Sequence, residues 1–159
     1  VDYRKVEYVG PTVGSELIFR GAQGVFTLPE NLDTDIFFIC TGTGIAPFRS
    51  MVHYIKLHAV PHNNIYLLFG SRTQQDLLYY TELNELQQNL SGFHYIPTLS
   101  REEWAGRTGY VHGVYEELCS NRQPAKFYLC GWKNMIDEDK KTITELGYDR
   151  KAIHQELYG

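Results

Sequence analysis

The chain has 159 residues, 43% of them hydrophobic and 21% charged, and a formal net charge of −4. That length and mixture suit one globular domain with its own core. The acidic balance offers no basic surface for a nucleic-acid backbone, and no apolar run reaches the roughly 18 residues of a membrane span.

The first five residues, Val1-Asp2-Tyr3-Arg4-Lys5, carry neither a starting Met nor a signal-peptide pattern, so a fragment of something longer is expected. Residues 1–34 read as short strands and turns: a strand over 16–20, a turn over 21–24 (GAQG), a strand over 25–28 and a linker over 29–34. From Asp35 onward strands alternate with helices. Residues 35–40 (DIFFIC) form a continuous apolar run, the pattern of a strand buried on both faces. Residues 45–58 place Ile45, Phe48, Val52 and Ile55 at helical spacing, with Pro47 in the first turn, where its missing N–H costs nothing. Further strands are predicted over 64–70, 93–99, 126–130 and 153–158, and further helices over 77–90, 111–119 and 134–146. Gly147 ends the last helix in a typical C-terminal position.

Strands alternating with helices predict an α/β fold with a five-stranded, parallel, doubly wound sheet. The division is 1–34 as one unit and 35–159 as a nucleotide-type domain. Ligands of such sheets bind beyond the carboxyl ends of the strands, where strand order reverses. Four loops are thereby singled out, after Cys40, Gly70, Leu99 and Cys130.

The first loop is Thr41-Gly42-Thr43-Gly44-Ile45-Ala46-Pro47. Its glycines allow close backbone approach, and the following helix offers free N–H groups to a diphosphate. Pro47 stands where the common dinucleotide fingerprint has a third glycine, so this is not the standard pattern. The second loop offers Gly70-Ser71-Arg72, then Asp76, either a polar turn with an Arg72–Asp76 pair or an arginine near cofactor phosphates. The third offers Ser100-Arg101, a hydroxyl and a guanidinium suited to a phosphate, or a capping serine beside a solvated arginine. Arg107 and Tyr110 are secondary candidates there, by hydrogen bond or by stacking on a base. The fourth offers Cys130-Gly131, with Met135 five residues on. Cys40, Cys119 and Cys130 form no CxxC pair and no metal-ligand spacing; their odd number favours a reducing compartment, and a cytoplasmic location is expected.

Five pieces in order resemble the ferredoxin–NADP reductase family: CTGTGIAPFRSM at 40–51, FGSRTQQDLLY at 69–79, SREEWAGRTGYV at 100–111, YLCGWKNM at 128–135 and HQELYG at 154–159. RGAQGVFTLP at 20–29 resembles the last strands of that family's flavin-binding barrel; the rest of the barrel, with its Arg-x-Tyr-Ser motif, has no counterpart in this sequence.

The resemblance implies an NAD(P)-binding domain of a flavin-linked oxidoreductase, preceded by a barrel remnant. Hydride would pass from NAD(P)H to FAD in the complete protein, and electrons onward to ferredoxin or an oxygenase component. It implies that Cys130 lies against the nicotinamide as a positioning group, with Thr43 beside it. It implies that Tyr158 covers the flavin and that Glu156 sits near the hydride path. It implies a 2′-phosphate clamp at Ser100-Arg101, which puts NADP ahead of NAD. The alternative is a non-catalytic nucleotide-binding module of a larger redox assembly. No G-x-S-x-G elbow supports a hydrolase.

Overall fold

The alternation of apolar runs and helix-spaced segments folds into a three-layer α/β domain in the computed structural model, which describes residues 14, 16 and 25–157. The strands are β1 (Asp35–Thr41), β2 (Ile65–Ser71), β3 (Phe93–Leu99), β4 (Arg107–Thr108), β5 (Ala125–Gly131) and β6 (Ile153–Leu157). The helices are α1 (Ile45–Leu57), α2 (Tyr80–Asn89), α3 (His112–Leu118) and α4 (Lys133–Glu145). Every strand pair is parallel, in the order β4-β3-β2-β1-β5-β6. The chain runs outward from β1 to β4, then returns to the other side of β1. The strand order therefore reverses between β1 and β5, which is where a ligand crevice forms in this architecture.

β1 and β5 are buried along nearly their whole length because helices cover both faces. One face packs Ile36, Phe38, Cys40, Leu67, Phe69, Tyr128 and Cys130 against Phe48, Val52 and Ile55 of α1 and Leu83 and Leu86 of α2. The other packs Phe37, Ile39, Leu68, Phe127 and Leu129 against Val114 and Tyr115 of α3 and Ile136 and Ile143 of α4. Stacked rings hold each face: Phe38 on Phe48 at 4.7 Å, and Phe37 on Phe127 at 5.1 Å. Burying one such ring contributes about 2–3 kcal/mol.

The sheet has one strand more than the periodicity shows. β4 is two exposed residues, too short to carry an alternation. α2 starts at Tyr80, three residues later than the spacing suggests. Thr73 and Asp76 close a separate 3-10 turn over Gln74–Asp76, Leu77 is extended, and Tyr79 takes a left-handed φ of 56°. Residues 25–28 join no strand; Phe26 instead packs its ring on Phe48 and Tyr128. The strand expected over 16–20, except Glu16, and the turn over 21–24 lie outside the described residues.

Candidate functional site

β1 leads straight into a 3-10 turn, Gly42–Gly44, and that turn into α1. Gly42 holds φ +54°, and a side chain there would meet nothing within 4 Å, because it faces open space. Gly44 is needed for a different reason. A Cβ on it would stand 2.2 Å from the Cys130 carbonyl oxygen, so the turn can lie against β5 only without one. The close packing delivers α1 with its N-terminus at the crevice. No side chain caps that end, and its first turn holds no acidic residue. Uncapped N–H groups and the helix dipole together make an anion site.

A cavity of about 660 Å³ opens above this turn. That is within the ~300–1,000 Å³ usual for cofactor sites. Thr41, Gly42, Thr43, Arg72, Ser100, Tyr110 and Met135 all line it, so residues from four loops converge. Thr41 donates its hydroxyl to the Met135 sulfur at 3.5 Å. Gly131 makes room for that junction, since a Cβ there would be 2.7 Å from Thr41 Oγ1. The second and third loops are laced together: Ser100 and Arg101 donate their backbone N–H groups to Ser71 and Arg72 carbonyls, each at 3.0 Å.

Other candidates stand elsewhere. Gly44, Ile45, Ala46, Pro47, Arg101 and Gly131 flank the cavity in sequence but do not form its lining. Cys130 is not at the mouth: it is fully buried on the α1 face, level in the ladders with Cys40 and Glu156. Burial, and secondarily Cys130, pushes the Cys40 thiol well up; burial likewise raises Cys119. Arg107 is engaged by Glu117 in a two-pronged ion pair at 2.7 and 3.2 Å, which anchors β4 to α3. Asp76 accepts from Thr73 rather than serving Arg72. Glu156 is exposed, and Tyr158 lies outside the described residues.

The cavity also holds residues with no motif to mark them. Trp132, 70% exposed, stands at the start of α4, and Val111, His112 and Glu138 join the wall. Asp139 is the most unusual, a carboxyl only 1% exposed. Tyr115 donates its hydroxyl to Asp139 Oδ1 at 2.9 Å, and Oδ2 has no partner among the described residues. Burial pushes Asp139 up to about 7, against the pull of the Tyr115 bond and with help from Glu138. Burial also raises the Tyr115 phenol, and Asp139 adds to the rise. A helical spacing of four between Met135 and Asp139 was the available signal, since it puts both on one face.

A phosphate-competent turn at the point of strand reversal, opening on one cavity, agrees with a match to the family model of the oxidoreductase NAD-binding domain over residues 38–141. The chain belongs to that family. Among curated relatives, this NAD-binding domain is 34% identical over 154 residues to ferredoxin–NADP reductase B of Sorangium cellulosum, covering 91% of this chain and 63% of that protein. It is 31% identical to the xylene/toluene monooxygenase electron transfer component XylA of Pseudomonas putida, covering 94% and 43%. Among solved structures, the Amycolatopsis cytochrome P450 reductase GcoB superposes with a TM-score of 0.77 at 25% identity, over 86% of this chain and 42% of that one. The chain thus spans less than two thirds of the length of each of these relatives. Among the described residues, no group of three or more His, Cys, Asp or Glu is placed to hold a metal, and no helix is long and apolar enough to cross a membrane.

Proposed function

We propose that this NAD-binding domain is the pyridine-nucleotide half of a flavin-dependent reductase that passes electrons on to ferredoxin or an oxygenase component. The 3-10 turn, whose Gly42 and Thr43 line the cavity immediately before the uncapped start of α1, carries the reading. When bound, NAD(P)H supplies a hydride and FAD accepts it. The chain's own residues bind and orient. The N–H groups of the 3-10 turn and the start of α1, from Gly42 to Ala46, hold the diphosphate, and Pro47, which has no N–H, closes the first turn of the helix. Thr41, Gly131 and Met135 shape the wall beneath it. Arg72, Ser100 and Arg101 take the adenosine end, with Tyr110 as a flat surface for the base. Thr43 and Glu156 frame the nicotinamide side, Cys130 backs it from within the core rather than by contact, and Tyr158 is the ring that yields to it. None of them needs to act as an acid, a base or a nucleophile.

The flavin is assigned to the part of such reductases that this chain does not cover, since it spans 63% and 43% of the two curated relatives. Two clusters support NADP over NAD: Arg72 and Ser100 on the cavity wall, and Arg101 joined to Arg72 through the backbone. Calorimetric titration of the chain with NADPH and NADH tests this. Both should bind, NADPH more tightly, and Arg101→Ala should weaken NADPH alone. Equal affinities would remove the phosphate clamp, and silence with both would remove the nucleotide site. The purified chain should be colourless; a stoichiometric yellow flavin would put the flavin site here.

A further inference from the structure

We propose that Asp139 enters the nucleotide complex as a neutral acid and donates its proton from Oδ2 to an acceptor oxygen of the bound nucleotide, so that binding takes up a proton. The inference rests on the nucleotide reading above. Its basis is geometric. Asp139 lines the cavity, yet it is 1% exposed. One oxygen is committed to the Tyr115 hydroxyl, and the other is buried with no partner among the described residues. A buried carboxylate with a single hydrogen bond is poorly compensated, whereas the neutral acid has one proton to donate and needs one acceptor.

Its surroundings favour the neutral form. Tyr115 is the titratable group packed on it from α3. β5 presents Phe127 and Leu129 on that face, and their ladder partners on β6, Ile153 and Gln155, are uncharged. Glu138 of its own helix adds negative charge, while Arg72, Asp76 and His112 share the cavity. Burial already brings Asp139 up to about 7. A dinucleotide would drive water from the cavity and add phosphate charge. Both effects disfavour the ionised form. Phosphate and ribose oxygens are acceptors that the acid can meet.

The test is calorimetry of NADH binding to the full chain in two buffers of different ionisation enthalpy. NADH is chosen because it lacks the titrating 2′-phosphate. At pH 7.5 the wild type should take up about three-quarters of a proton, and its affinity should fall about eightfold from pH 6.5 to 8. Asp139→Asn keeps an acceptor for Tyr115 and puts an N–H donor in place of Oδ2. It should bind at pH 8 about as well as the wild type does at pH 6.5, with the proton uptake assigned to Asp139 lost. Asp139→Leu, folded by circular dichroism, should bind less tightly than the Asn variant at every pH. Equal proton uptake by wild type and Asp139→Asn overturns the proton linkage. Equal affinities of the Leu and Asn variants overturn the hydrogen bond. Failure of the wild type to bind NADH at pH 6.5 overturns the nucleotide site itself, and this inference with it.

Discussion

The two faces of the sheet are each covered by two helices, but they obey different rules. The α1/α2 face is closed by aliphatic and aromatic side chains, with the thiols of Cys40 and Cys130 as its soft members. Among the described residues, the buried polar residues Thr98 and Asp139 both belong to the α3/α4 side, Thr98 by alternation from Ile96 along β3. The cavity opens over that second side, where Val111, His112, Met135 and Glu138 form its wall. A sealed face is built for stability. An open one tolerates an under-satisfied carboxyl because a ligand can satisfy it.

Variants can sharpen or break that contrast. The largest effect is expected from Phe38→Ala on the sealed face. It removes a ring that stacks on Phe48 and meets Tyr128 edge-on, and it should cost about 3–5 kcal/mol in urea unfolding. Gly44→Ala should cost roughly 3 kcal/mol, because the new methyl meets backbone at 2.2 Å rather than a side chain that can swing away. If that variant unfolds like the wild type, β5 is more yielding than the packing implies.

On the open face the signature is pH. Burial raises Asp139 from 3.8 to about 7, so the folded state binds more protons than the unfolded chain between those values. Stability must therefore fall as pH rises through that window, on the order of 2–3 kcal/mol between pH 5 and 8. Asp139→Asn should remove this slope and be the more stable protein at pH 8. Parallel curves for the two proteins would mean that Asp139 is already ionised without strain. Glu82, Glu117 and Asp137 are held low by Arg49, Arg107 and Lys133, and their support is lost only as pH drops below the ordinary carboxylate range.

The smallest effect is expected where α1 meets α2 at the surface of the sealed face. Glu82 accepts from Arg49 at 2.7 and 2.9 Å and pairs with His53 at 2.5 Å, but all three side chains are a third or more exposed. Glu82→Gln should cost less than about 1 kcal/mol, and less still in high salt. A larger loss would make this ion cluster a structural clamp.

Much of the fold was legible. Continuous apolar runs marked β1, β2 and β5, and the glycine-rich turn before α1 named its own position. What escaped notice had no local signature. β4 exists because Arg107 and Thr108 happen to lie beside Thr98 and Leu99. The start of α2 moved because Tyr79 adopts a left-handed backbone, a conformation that bulky residues rarely take. Within the site, Ser100 and Arg101 look equivalent in sequence, yet only the serine reaches the cavity wall.

The sequence by itself determined the alternation of strand and helix, the loop at 41–47 and the four strand-end loops, because periodicity and turn chemistry act between near neighbours. Only the tertiary structure decided which side of each strand meets the cavity. It buried Cys130 on the sealed face and set Trp132 at the mouth. It also brought Asp139 of α4 against Tyr115 of α3, 24 residues apart, with one oxygen left over. Those outcomes depend on burial and on distances through space, which no local pattern in the chain encodes.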